Sequence, residues 1–264
     1  MSRIVKLGQV KTPTVTPGYI GYYPCFQAAT DTNLLDRSGK ANHATFGAQQ
    51  TASYAWTTLA NRFSVALNAG GSQNAAANLA NGSGFAWNPA LESLVAAFRL
   101  TCTATALNGP IFGNAHAAPS VGFKLEVQAT TGVLRLNRYS TGAQTVVNTT
   151  TEAVADGTEH GVGFAWDAVA QRAYIYVDGV VASAFAGGSL ITATDWFPFT
   201  TNNLCIGGVG HSAAGGGAAL TYASAFRGIH IAKRTGALPS NVANLFRRLN
   251  QFPHVLISAT ELPA

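Results

Sequence analysis

The stretch that decides the fold runs from His160 to Phe185, HGVGFAWDAVAQRAYIYVDGVVASAF. Read in steps of two, Val162, Phe164 and Trp166 share one face, with Gly161, Gly163 and Ala165 on the other. That alternation describes a strand with one apolar side. Asp167 to Gln171 reads as a short turn, and Arg172 to Val177 as a second strand, broken by Asp178-Gly179 and resumed at Val180. Asp-Gly between two β-branched runs signals a type I′ hairpin, because that turn needs positive φ at both central residues. The pairing then sets Val177 opposite Val180, Tyr176 opposite Val181 and Ile175 opposite Ala182. Tyr174 and Tyr176 are expected to share a face with Ser183 and Phe185, and Ala173, Ile175 and Val177 to share the other.

Working outward, short strands recur between Gly, Asn and Pro: Phe63 to Leu67, Leu94 to Cys102, Ile111-Phe112, Phe123 to Val127, Val133 to Arg138 and Thr145 to Asn148. Asn203 to Gly207 and Ala225 to Ala232 follow the hairpin. Many short strands at this spacing indicate an antiparallel sandwich or jelly roll. Asp36 to Gly39 reads as a turn, and Asn68 to Gly84 as a low-complexity surface loop. One segment has helical period: Ser240 to Asn250, with Val242, Leu245, Phe246 and Leu249 on one face. The expected organisation is an extended arm over 1–18, a sandwich over 19–252 and a tail over 253–264. In the arm, Pro13 and Pro17 preclude helix, and Ile4, Val5, Leu7 and Val10 offer apolar side chains for docking.

Composition narrows the function classes. Only 10% of the 264 residues are Asp, Glu, Lys or Arg, against about 25% in an average globular protein. Such a surface suits a subunit packed among neighbours better than one kept apart by self-repulsion. The net charge is +5, yet the cations are scattered and form no basic stripe interleaved with aromatics, so nucleic-acid binding is not expected. Cys25, Cys102 and Cys205 are widely spaced and odd in number, which points to buried free thiols. The N-terminus lacks an apolar h-region and no run approaches 18 apolar residues. The expectation is a chain without a secretory signal and without membrane insertion.

The order of these pieces resembles the laminin-G-like, concanavalin A-like jelly-roll family. An L-x-D-x-S-G-x-x-N-H-A segment is matched by Leu34, Asp36, Ser38, Gly39, Asn42, His43 and Ala44. An F-x-W-D … Y-V-D-G hairpin is matched by Phe164, Trp166, Asp167, Tyr176, Val177, Asp178 and Gly179. Leu204, Ile206 and Gly207, then Phe226 to Ala232, then the helix from Leu238 to Leu245, complete the pattern over roughly 19–250. The resemblance implies an all-β, two-sheet antiparallel jelly-roll sandwich with one short C-terminal helix and an extended N-terminal arm. It also implies a glycan- or protein-binding role, of the kind found in tailed-phage virion proteins. Cyclic homo-oligomers, trimers above all, are what it implies for assembly.

Catalytic patterns are sparse. Retaining glycosidases need two carboxyl groups about 5 Å apart, and here no strand carries two acids on one face. Glu152, Asp156 and Glu159 cluster before the hairpin at a spacing that reads as a solvated turn. Calcium is a weak candidate cofactor at Asp31, Asn33 and Asp36, where Asp36 also suits an Asx turn. Gly208 to Ala213 formally matches a dinucleotide fingerprint but leads into more glycine instead of a helix. Aromatic residues are the better signal for contact with glycan or partner: Trp196 first, then Tyr54, Trp56 and Trp87, with Tyr19, Tyr22 and Tyr23. The reading is a non-enzymatic virion subunit assembled in the host cytoplasm, a tail-fibre or receptor-binding component contacting host surface glycan. Its arm would engage other virion proteins. Capsid decoration and a sandwich-fold glycoside hydrolase stand as the alternatives.

Overall fold

The structure is a computed structural model that describes residues 18–25, 33–46, 54–59, 62–67, 77–79, 87–103, 109–114, 122–140, 143–191, 204–207 and 224–251. The chain enters with β1 (Tyr19–Tyr23), β2 (Asn33–Leu34), β3 (Ala44–Phe46), β4 (Tyr54–Leu59), β5 (Arg62–Leu67) and β6 (Ala77–Leu79). The central strands are β7 (Glu92–Thr103), β8 (Gly109–Gly113), β9 (Gly122–Val127), β10 (Val133–Ser140), β11 (Ala143–Ala153) and β12 (Asp156–Asp167). Then come β13 (Arg172–Val177), β14 (Val180–Val181), a 3₁₀ turn at Ser183–Phe185, β15 (Ser189–Leu190), β16 (Leu204–Ile206) and β17 (Ser224–Thr235). Helix α1 (Val242–Gln251) follows.

Two antiparallel sheets result. The first runs β14-β13-β12-β7-β17-β5-β4, with β1 also on β17 and β15 also on β13; the second runs β11-β10-β9-β8-β16-β6-β3-β2. This is the two-sheet antiparallel sandwich with one short helix that the sequence implies. Alternation fixes which face turns inward. Leu94, Ala96, Phe98 and Leu100 of β7 join Val162, Phe164 and Trp166 of β12 in the main core. Phe112, Phe123, Leu125, Leu134 and Leu136 come from the other sheet. Phe123 stacks on Phe164 across the sandwich at 4.9 Å between ring centroids, nearly parallel. All three cysteines are buried and none is in a disulfide, and burial first, then Asp156, pushes the Cys102 thiol up to about 12.

The hairpin has the expected register, Tyr176 against Val181 and Val177 against Val180, with φ of 50° at Asp178 and 80° at Gly179. One expectation fails. Phe185 does not join the tyrosine face but is fully buried in the main core. The ladder stops at Val181, and the 3₁₀ turn rotates the chain, so period two no longer applies. A second failure is the surface loop over 68–84, because Ala77–Leu79 forms β6 and pairs with both β16 and β3. Three residues are too few to show a period, and tertiary pairing alone makes them a strand.

The outer face of the first sheet is roofed by α1. Leu245, Phe246 and Leu249 pack on Val95, Ala97, Ala165, Ala232, Tyr22 and Tyr176 as a second apolar cluster. Phe246 stacks on Tyr176 with centroids 4.1 Å apart. Glycine makes this approach possible. A Cβ on Gly163 would overlap the Phe246 ring, and one on Gly161 would overlap the Asn250 amide. One on Gly179 would lie 2.8 Å from the Arg247 Cα. Gly163→Ala is therefore expected to destabilise the fold by about 1–3 kcal/mol, the usual range for overpacking. Denaturant unfolding checks this. In Phe246→Ala, which vacates the space, the same substitution should have less than half that effect; additive losses would show that α1 does not rest on Gly163.

Candidate functional site

Beyond the apolar part of that roof the outer face turns polar. Arg99 on β7 and Arg227 on β17 are cross-strand partners, and Glu159 on β12 reaches both. The Arg99 Nε donates to Glu159 Oε1 at 2.9 Å, while Arg227 gives Nε and Nη2 to the two oxygens of the same carboxylate. The Arg99 Nη1 also donates to Asn250 of α1, to its carbonyl at 3.2 Å and to its side-chain oxygen. A bulge positions Arg227. Gly228, at φ 56°, lies in the register shift between Arg227 and His230. The extra residue keeps Phe226 and Ile229 in the core while Arg227 and His230 face α1. Glu159 responds to burial, which raises its pKa, and to hydrogen bonds from Arg227 and then Arg99, which outweigh burial and hold it low.

Between α1 and this network lies a shallow cleft, open to solvent and enclosing only about 10 Å³, lined by Arg99, Gly161, Tyr176, Gly179, Gly228 and Asn250 among others. Next to it His160 bridges the start of β12 and the hairpin turn. Its Nδ1 lies 2.8 Å from Asp178 Oδ2. Its Nε2 lies 3.2 Å from Asp156 Oδ1 and 3.1 Å from the Thr158 hydroxyl. Asp178 Oδ1 in turn accepts the Gly161 N–H at 2.8 Å. Asp156 is held down at about 2 by the backbone N–H and hydroxyl of Thr158, with His160 adding to them.

Thr158, His160 and Asp178 are spaced like a hydroxyl–imidazole–carboxylate triad, but both imidazole nitrogens already face a carboxylate. A catalytic imidazole must keep one nitrogen free to take a proton. Here burial lowers the His160 pKa, yet the hydrogen bonds and charges of Asp178 and Asp156 outweigh it and raise the pKa. With a carboxylate at each nitrogen, the charged imidazole is the form that can donate on both sides. The Thr158 hydroxyl also lies 2.8 Å from Asp156 Oδ1. Glu159 is equally committed to its two arginines. The arrangement offers fixed charges and hydrogen-bond groups.

A second polar cluster sits on the outer face of the second sheet. Glu126 is fully buried and receives Arg135 through Nε at 2.7 Å and through Nη2, and Asn137 at 2.9 Å. Lys124 approaches its Oε2 at 2.6 Å as an ion pair without hydrogen-bond alignment. This is a buried carboxylate paired with two cations, Arg135 and Lys124.

Several sequence candidates are placed elsewhere. Trp87 is 3% exposed, donates its indole N–H to the Glu92 carbonyl at 2.7 Å and meets Phe123 edge-on. It fills the core and is unavailable for contact. Tyr22 and Tyr23 are buried likewise, Tyr22 stacked on His230. Asp36 organises its turn, and its four acceptances come from Tyr22 N–H, Ser38 N–H, Ser38 Oγ and Asn42 N–H. A carboxylate so used does not fit a calcium ion, and Asn33 lies in the short β2–β3 pairing. Glu152, Asp156 and Glu159 stand on strands β11 and β12, not in a solvated turn. Tyr54 and Trp56 fall on β4, an outer strand of the first sheet, and their side chains lie outside the described residues. Trp196, Asp31 and arm residues Ile4, Val5, Leu7 and Val10 lie outside them altogether. The sequence reading missed Arg99, Arg227 and Asn250. Its available signal was an arginine in the middle of each of two apolar strands.

No protein-family model matches the chain, and no curated protein matches it in sequence. Solved structures do. The binding domain of Paraclostridial mosquitocidal protein 1 shares 8% identity over 88% of this chain and 52% of that one, with a TM-score of 0.59. The sialidase of Trypanosoma rangeli, solved with sialic acid, shares 14% over 92% and 34%, at 0.57. A botulinum neurotoxin type C structure, from work tying cell entry to two ganglioside molecules, shares 12% over 88% and 51%, at 0.55. The chain thus spans about half the length of the toxin structures and a third of the sialidase. What is shared is the fold, a two-sheet β-sandwich.

The raised His160 pKa fixes a sign. Its contribution is complete below the unfolded value near 6.5 and fades as pH rises through the higher folded value. For a solvent-screened group this amounts to less than about 1 kcal/mol. Urea unfolding of the native protein between pH 5.5 and 8.5 should show that loss, and Asp178→Asn, which keeps a turn-forming residue, should flatten it. Identical pH profiles would remove His160 from the network.

Proposed function

We propose that this chain is a non-catalytic glycan-recognition module, with the surface around the mouth of the cleft between α1 and the first sheet as its binding locus. The observation that carries the reading is the Arg99–Glu159–Arg227–Asn250 network at the cleft. A chain with so few charges gathers them beside a concavity, and each carboxylate there is already held by a cation. Fixed donors and acceptors of this kind suit sugar hydroxyls, whereas acid–base chemistry needs a group free to change protonation. The fold shared with toxin binding domains, one from work on ganglioside interaction, supports the same direction.

The finer placement is an adhesive subunit of a tailed-phage virion, a tail-fibre or receptor-binding component. Support comes from the low-charge composition and from the sequence resemblance. Copies would join as a cyclic oligomer, a trimer by that resemblance, with residues 1–18 docking on other virion proteins.

A glycan array with the purified chain tests the function. Binding is expected, with Arg99→Ala weakening it ten- to a hundredfold, as loss of a charge-assisted hydrogen bond implies. Trp196→Ala serves as comparison: a larger loss there than at Arg99 would move the locus from the cleft to the 192–203 segment. A blank array, with the chain found in purified particles, would replace adhesion by capsid decoration. Release of sugar from bound glycan would make it a hydrolase.

A further inference from the structure

We infer that the mouth of the cleft at Arg99, with Arg227 buried behind it, receives an acidic group, so that the ligand is a carboxylate-bearing sugar; this rests on the glycan reading above. Two guanidiniums face one carboxylate, which leaves the pair with a net positive charge. Arg227 spends Nε and Nη2 on Glu159, and its Nη1 is buried with no hydrogen-bond partner among the described residues. Arg227 is 8% exposed, and a buried donor without an acceptor calls for a missing ligand, ion or water. Its neighbour Gly228 and its partner Arg99 both line the cleft.

Asn250 indicates how the site is kept when empty. Its carbonyl and side-chain oxygens, at the C-terminal end of α1, accept from Arg99 Nη1. An amide oxygen is a neutral acceptor, and a carboxylate makes a shorter and stronger bond with a guanidinium. A ligand carboxylate would displace the Asn250 side chain from Arg99 and bring negative charge to both arginines. Glu159 faces the same guanidiniums and remains their structural counter-ion. His160 stands at the cleft's edge between Asp156 and Asp178, two carboxylates on one imidazole, so the positive excess is confined to the two arginines.

Asn250→Asp makes the decisive variant, because it places a competing carboxylate on Arg99 without touching Glu159 or the core. Binding of matched pairs would be measured by calorimetry on the full chain: sialylated against asialo oligosaccharides, and glucuronate- against glucose-terminated ones. The acidic member of each pair is expected to bind at least tenfold tighter, and Asn250→Asp should erase that preference while neutral binding and the unfolding midpoint persist. Equal binding of acidic and neutral partners, or an undiminished preference in Asn250→Asp, would overturn the inference and leave the glycan reading standing. No binding of either kind would overturn both. Inorganic sulfate is the control probe: if it binds as tightly as the acidic sugars, the site takes simple anions and the sugar class is wrong.

Discussion

The outer face of the first sheet depends on two absent side chains, those of Gly161 and Gly163. Strand β12 carries Val162, Phe164 and Trp166 into the core on one side. On the other it stays bare enough for α1 to lie directly on the sheet. Glycine in a strand interior costs roughly 0.5–1 kcal/mol each in backbone entropy. Burying Leu245, Phe246 and Leu249 is worth about 1.5–3 kcal/mol per side chain, so the helix more than offsets its seat. Its position then follows from the pattern at 242, 245, 246 and 249, and the position of Asn250 beside Arg99 follows from that.

Charge placement obeys a similar constraint. The chain has 16 Lys and Arg and 11 Asp and Glu, and several stand on sheet faces where water is scarce. Glu126 and Glu159 are each met by two cations. Desolvating an isolated carboxylate costs several kcal/mol, and removing one partner of a buried pair typically costs about 3–5 kcal/mol. These clusters therefore act as registers: only the native strand alignment, Arg135 opposite Glu126 and Arg99 opposite Arg227, satisfies them.

Much of the sandwich was legible because period two is a local property. Val162, Phe164 and Trp166, the Asp178-Gly179 turn and the four apolar positions of α1 each declare themselves within ten residues. The site was not legible, because it is assembled from β7, β12, β17 and α1, whose members lie up to 151 positions apart. The aromatic signal misled at Trp87, since an indole rich enough in apolar area to stack on a ligand is equally rich enough to fill a core. What could have been weighed is Arg99 in LVAAFRLTC and Arg227 in AFRGIHIA. An arginine in a strand that is otherwise apolar must face a partner, a solvent gap or a ligand.

Asp178 shows how closely scaffold and site are joined. Its tolerance of positive φ forms the turn, which accounts for an Asp there without any chemistry. Yet its two oxygens hold the Gly161 N–H and the His160 imidazole, and Gly161 and Gly179 both line the cleft. The turn that sets the strand register thus also fixes the edge of the cleft. Strands and a turn hold Arg99, Glu159, His160 and Asp178 in place through their partners, an arrangement with little left to reorganise. In this sandwich one residue, Asp178, both sets the strand register and orients the imidazole of His160.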